Sequence, residues 1–123
     1  MIKGIAHIAL YTSKFEQTIQ FYQDVFETKN LGYFQTDRRG CWLQLGKDIL
    51  EIFESYDLTE GTFKHIAIAC DDVDALYSKA LQHGALEHVQ PKDIVLSLQE
   101  EVHARIAFIK GINHEQIELF AQQ

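Results

Sequence analysis

The sequence predicts an α+β fold in which two tandem β-α-β-β-β modules form one cupped mixed sheet, and three observations support this. The tetrapeptide His7-Ile8-Ala9-Leu10 returns as His65-Ile66-Ala67-Ile68, so the chain carries an internal repeat. A second pair closes each copy, Leu50-Glu51-Ile52-Phe53 and Ile117-Glu118-Leu119-Phe120. Between each opening and closing motif lies one stretch of helical period, followed by short segments of strand character. A chain of 123 residues suffices for one compact domain but not for two independently stable globules, so residues 1–123 are expected to form a single domain with modules 1–56 and 62–123.

The first module opens on the His7 strand. Ser13 is a suitable helix N-cap, and Phe15, Ile19, Tyr22 and Phe26 recur at i, i+4, i+7 and i+11, the apolar stripe of an α-helix. Three strands follow over 31–36, 41–45 and 49–54, separated by turns at Asp37-Arg38-Arg39-Gly40 and Gly46-Lys47-Asp48. Residues 56–62 connect the modules. In the second module Asp71 or Asp72 can cap a helix whose stripe is Val73, Leu76, Tyr77, Ala80 and Leu81, and Gly84 sits where a left-handed terminal residue is wanted. Strands are expected over 86–90, 105–109 and 116–121. The segment from Lys92 to Ala104 has no clean period and fits a strand extension, a helical turn or a lid. The strand aromatics Tyr33, Phe34, Trp42 and Phe53 are expected to pack in the core, with a pocket for an apolar or aromatic ligand as the alternative.

Composition narrows the function. Hydrophobic residues at 46% with one Pro describe an ordinary globular protein, and the net charge of −7 disfavours a nucleic-acid partner, which needs a basic face. The N-terminus lacks a basic region followed by an apolar stretch and the apolar runs are strand-sized, so neither export nor membrane insertion is expected and the cytoplasm is the expected location. Cys41 and Cys70 have no metal-ligand spacing to each other and are expected to be unpaired, buried or half-buried filler.

The repeat also marks a site. Side chains alternate faces along a strand, so if the aliphatic residues flanking them cover the helices, His7, Glu51, His65 and Glu118 all face the other side of the sheet. A strand-centre carboxylate on a partly apolar surface is costly without a cation. Two imidazoles and two carboxylates form a set suited to one divalent ion, Zn or Ni first, with Co, Mn or Fe also fitting, and with positions left open for water or substrate oxygen. A lone strand His or Glu is ordinarily just hydrogen-bonded or solvated; matched positions in two copies are what make the metal reading the better one. His83, His88, His103 and His114 have no matched partners and are read as surface residues, His103 excepted if its loop folds over a pocket.

Taken together, Gly4-Ile5-Ala6-His7-Ile8-Ala9-Leu10, Phe21-Tyr22, Leu50-Glu51-Ile52-Phe53, His65-Ile66-Ala67 and Gln116-Ile117-Glu118-Leu119-Phe120 resemble the vicinal-oxygen-chelate superfamily, and within it glyoxalase I (lactoylglutathione lyase)-like proteins, over essentially the whole chain. The resemblance implies a metal-dependent lyase or isomerase acting on a small vicinal-oxygen substrate through a metal-bound enediolate. Glu118, and possibly Glu51 across the metal, would be the general base. It also implies a homodimer, with ligands supplied by one subunit or two. Extradiol-dioxygenase-like and fosfomycin-transferase-like enzymes, which use the positions of His7, His65 and Glu118, and metal-free bleomycin-resistance-like binding proteins are the alternatives; Glu at position 51 resembles the glyoxalase I set. Two departures stand out: Gly111-Ile112-Asn113-His114 replaces the family's Asp-Pro-x-Gly turn, with Gly and Asn expected to take any left-handed position, and Val25-Phe26-Glu27 ends the helix where Leu-Gly is usual. Arg38 and Arg39 are the candidates for a basic pair that would hold the carboxylates of glutathione.

Overall fold

The computed structural model describes residues 7–36, 38–57, 65–98 and 100–123. Gly4, Ile5 and Ala6 of the opening motif, Asp37 of the first turn and residues 58–62 of the expected connector lie outside the described residues. The chain divides into two compact units, Met1–Gly61 and Thr62–Gln123.

The first unit contains β1 (Ile8–Thr12), α1 (Phe15–Phe26), β2 (Lys29–Gln35), β3 (Arg39–Leu45) and β4 (Asp48–Glu54). Its sheet has the order β1-β4-β3-β2, with β1 parallel to β4 and the other neighbours antiparallel. The second unit repeats this with β5 (Ile66–Ala69), α2 (Val73–Gln82), β6 (Leu86–Leu96), β7 (Val102–Lys110) and β8 (Gln116–Gln122), in the order β5-β8-β7-β6. The architecture is the α+β pair of β-α-β-β-β modules that the repeat predicts, each with a mixed sheet.

Each core lies between a helix and one sheet face. Phe15, Ile19, Tyr22 and Val25 of α1 are buried over the buried pairs Cys41 with Ile52 and Leu43 with Leu50, which face each other across β3 and β4. In the second unit Val73, Tyr77 and Ala80 of α2 are buried with the pairs Ile109–Ile117 and Ala107–Leu119. Each fully buried Leu or Ile contributes roughly 1.5–3 kcal/mol by leaving water. Cys41 is buried and Cys70 half-buried, both as free thiols, and burial pushes both up from the usual thiol range.

Local chemistry sets the helix ends. Asp72 caps α2 by accepting the Ala75 N–H at 3.0 Å. Ser13 does not cap α1: the helix starts one residue later, after Lys14, and no side chain caps it. Two buried threonines organise that end instead, Thr12 Oγ1 accepting from the Lys14 N–H at 2.8 Å and the Thr18 hydroxyl donating to the Lys14 carbonyl at 2.6 Å. Beyond α1, Glu27 takes the left-handed conformation at φ 56°, its N–H bonded to the Gln23 carbonyl at 3.1 Å. Gly84 takes the corresponding role after α2 at φ 98°. In the turn before β8 the left-handed residue is His114 at φ 61°, not Gly111 or Asn113. A side chain at 111 would require the Glu115 carboxylate, which accepts the Asn113 N–H at 2.9 Å, to shift.

The aperiodic segment is a strand extension. β6 runs on to Leu96 and β7 begins at Val102. Register shifts between Glu87 and Val89 and between Val89 and Lys92 put this extension out of phase with the strand expected over 86–90, because each extra residue reverses which face the next side chains take, while Lys92 to Leu96 pairs regularly with β7. Pro91 is accommodated because β6 is an edge strand of its sheet. Arg105 of β7 fastens this hairpin to α2, pairing Asp74 at 2.6 Å and Asp93 at 3.2 Å.

Two predictions follow from these ends and this core. A left-handed conformation costs a non-glycine residue roughly 1–2 kcal/mol, so Glu27→Gly should raise the midpoint of urea unfolding. Gly84→Ala, at a site with space for the methyl but the same backbone, should lower it. Buried Tyr77 donates to Glu87 Oε1 at 2.9 Å, and burial, followed by the Glu87 hydrogen bond and charge, pushes its phenol up to about 12. A raised folded-state value leaves the neutral phenol's contribution complete below the unfolded value of ~10 and removes it as pH rises toward the folded one. Thermal melts between these limits should show wild type losing stability more steeply than Tyr77→Phe.

Candidate functional site

In each unit the parallel pairing of first and last strands places the opening His beside the closing Glu. Ala9 is the register partner of Glu51 and Ala67 that of Glu118, and each His lies two residues before its Ala, on the same face. His7 Nε2 then stands 3.4 Å from Glu51 Oε1, and His65 Nε2 stands 3.5 Å from Glu118 Oε1. The carboxylate side chains are only 11% and 13% exposed, so both are withdrawn from the water that would otherwise solvate them.

These separations exceed the ~2.7–2.9 Å of a charge-assisted hydrogen bond. The exposed pair His103 and Glu101 does close to 2.8 Å, so nothing in such a pair prevents contact. A nitrogen and an oxygen that each bind an ion at ~2.0–2.2 Å at tetrahedral or octahedral angles are themselves roughly 3.0–3.5 Å apart, so the donor types and spacing of each pair fit two ligands of a divalent ion. Each unit thus brings together its own predicted His and Glu. Among the described residues no group of three or more His, Cys, Asp or Glu side chains converges on one point.

Beside each pair stands an aromatic ring from the third strand of the module. Trp42 is the register partner of Glu51 and donates its indole N–H to Glu51 Oε2 at 2.7 Å, its ring centroid 5.7 Å from that of His7. Phe108 is the register partner of Glu118, with its ring edge-on to His65 at 5.3 Å. The two half-sites therefore match residue for residue, apart from the hydrogen-bond donor.

A family model described as the Glyoxalase/Bleomycin resistance protein/Dioxygenase superfamily matches residues 4–102. The chain belongs to this superfamily. Solved structures share its fold: a glyoxylase/bleomycin resistance protein/dioxygenase domain from Frankia sp. EAN1pec has a TM-score of 0.80 at 15% identity, with 100% of each chain covered. A mutant of the fosfomycin resistance protein FosX from Listeria monocytogenes, complexed with Mn(II) and 1S,2S-dihydroxypropylphosphonic acid, has a TM-score of 0.74 at 21% identity, covering 97% of this chain and 90% of that one. A mutant of glyoxalase I from Zea mays has a TM-score of 0.75 at 23% identity, covering 93% of this chain and 43% of that one. The superfamily match includes His7, Glu51 and His65, while Glu118 lies beyond it and is identified by the internal repeat.

Within this superfamily member, other expectations need correcting. None of the four strand aromatics is in the core: Tyr33 and Trp42 are exposed, and Phe34 and Phe53 are half-buried, stacked edge-to-face at 5.5 Å. Trp42 and Phe53 lie on strands whose inward positions are filled by Cys41, Leu43 and Ile52, while Tyr33 and Phe34 lie on the edge strand β2. Arg39, a candidate for the basic pair, pairs Glu16 at 2.7 Å and Glu54 at 2.9 Å and lies over the Phe15 ring. Arg38 lies over the Tyr11 ring and donates to Ser55 Oγ at 3.0 Å. His103 belongs to β7 rather than to a loop. His88, exposed as expected, sits at the first register shift of β6 with its ring 6.3 Å from Phe108. Leu31 occupies the matching shift of β2, between Asn30 and Gly32. Aligning the strand irregularities as well as the motifs would have found both the Trp42–Phe108 and the Leu31–His88 equivalences.

Proposed function

We propose that the protein is a divalent-metal-dependent lyase or isomerase of the glyoxalase I type, in which His7, Glu51, His65 and Glu118 hold one ion and the substrate is a small molecule with vicinal oxygens. The observation that carries this reading is the pair of matched half-sites, each a His and a mostly buried Glu at 3.4–3.5 Å. One half-site offers two protein donors, too few for a structural or catalytic ion, and two together supply the usual four. Zinc or nickel suits two imidazoles and two carboxylates best, with cobalt, manganese and iron also compatible. When bound, the ion supplies a positive charge that stabilises negative charge developing on the substrate oxygens.

The remaining chemistry belongs to the chain. A carboxylate held beside the substrate accepts the proton from a carbon next to the vicinal oxygens and returns it to the neighbouring carbon, which is general acid–base catalysis without any redox change. Glu118 is assigned this role, with Glu51 as its counterpart. The imidazoles of His7 and His65 complete the donor set, and the rings of Trp42 and Phe108 lie beside them at 5.7 and 5.3 Å. Because both Arg38 and Arg39 have protein partners, a hemithioacetal of a small thiol fits better than one of glutathione. A homodimer in the cytoplasm completes the proposal, the free thiols Cys41 and Cys70 suiting a reducing compartment.

A second reading is favoured by the Trp42 bond to Glu51 Oε2: His7, His65 and Glu118 alone form the ligand set, as in fosfomycin-directed or extradiol-type enzymes. The Mn(II) complex of the FosX relative accords with it. Glu51→Ala that retains both metal and turnover would select this alternative.

Protein purified without chelators should contain stoichiometric divalent metal, and Ni(II) or Zn(II) at a hundred times Kd should stabilise the stripped protein by roughly 2.7 kcal/mol in a thermal melt. Absence of metal together with an unmoved melt would sink the proposal. With hemithioacetals as substrates, Glu118→Gln should fold normally and lose roughly 10²–10⁴-fold in kcat.

A further inference from the structure

We propose that Trp42 is a positioning residue whose indole N–H clamps Glu51 in its metal-ligating orientation, and that the absence of this clamp in the second module makes the two carboxylates unequal. The proposal rests on the four-residue metal reading above. Its observation is the 2.7 Å bond from Trp42 Nε1 to Glu51 Oε2, which occupies one carboxylate oxygen and leaves Oε1 directed toward His7 Nε2. The register places Phe108 opposite Glu118 as it places Trp42 opposite Glu51. A phenyl ring has no N–H to donate, so the module that repeats the His, the Glu and the aromatic ring does not repeat the clamp.

The consequence is a division of labour. A ligating carboxylate whose second oxygen is hydrogen-bonded is held in one orientation and presents one oxygen to a cation. Glu51 is therefore the fixed anchor. Glu118 carries no such restraint from its cross-strand neighbour and keeps the rotational freedom that a group accepting a proton at one carbon and delivering it at the next requires. Bulk does not explain Trp42, because a phenyl ring fills the same place in the second module and Trp42 is itself 38% exposed.

Trp42 is the chain's single tryptophan, so the clamp carries its own fluorescent reporter. Zinc, a closed-shell ion with no redox chemistry, does not quench by electron transfer, and an emission change on binding therefore reports the indole's surroundings. Metal-stripped wild type, Trp42→Phe and Trp42→His should be titrated with Zn(II) by calorimetry, with emission followed in the wild type. Removing an outer partner of a metal ligand typically weakens binding 10–100-fold, so Trp42→Phe should show that loss with its circular dichroism preserved, and Trp42→His, which restores a ring N–H, should recover most of it. Wild-type emission should change with the same midpoint as the heat.

An unchanged Zn(II) affinity in Trp42→Phe, or equal weakening in Trp42→Phe and Trp42→His, overturns the clamp while leaving the metal reading intact. Failure of the wild type to bind Zn(II), Ni(II) or Mn(II) at all overturns the metal reading itself. Should Trp42→Phe not fold, the wild-type titration decides, since metal binding with Trp42 emission unmoved is incompatible with the clamp.

Discussion

The parallel pairing of each module's first strand with its last is the constraint on which everything else depends. It carries the chain from one edge of the sheet over the helix, through a meander and back, so that residues at opposite ends of a module become neighbours. In the first unit this joins His7 to Glu51, and in the second His65 to Glu118. The helices serve the same end, because burying Leu50 and Ile52, or Ile117 and Leu119, beneath them turns the intervening glutamate to the other face. A one-residue slip in either pairing would exchange the two faces and bury the carboxylate under the helix.

The core side is committed to aliphatic packing, so the polar groups lie on the opposite face. The carboxylates there are withdrawn from water yet not satisfied by their histidines at hydrogen-bonding distance, a state that favours a cation. The longer His–Glu separations distinguish these pairs from the ordinary ion pairs of the molecule, although Glu51 also accepts the Trp42 indole N–H. Arg105 with Asp74 and Arg39 with Glu16 close to 2.6 and 2.7 Å and fasten strands to helices. Those contacts hold the framework, whereas the His and Glu pairs stand at 3.4 and 3.5 Å.

How much of this the sequence disclosed follows from which interactions are local. Strand alternation and helical stripes are local patterns, so the ten elements and the four polar positions were legible from residues such as Ile8, Leu50 and Val73. Helix capping was only half legible: one of the two adjacent aspartates, Asp72, does cap α2, whereas the role expected of Ser13 passed to Thr12 and Thr18, whose pairing depends on a tertiary burial that no short window records. The extension of β6 was hidden because two register shifts interrupt its alternation. Trp42 was misread as core because its indole bond to Glu51 is a cross-strand contact, visible only once the register is known.

The irregular outer strand β6 also bears on how the protein survives in a crowded solution. Eleven residues of edge, with Leu86, Val95 and Leu96 exposed, would offer a ready template for a strand from another molecule. Pro91 presents no N–H there, and the two shifts interrupt the regular ladder that strand addition follows. The feature that concealed the strand from its own sequence thus belongs to the irregularities that disfavour edge-to-edge strand addition.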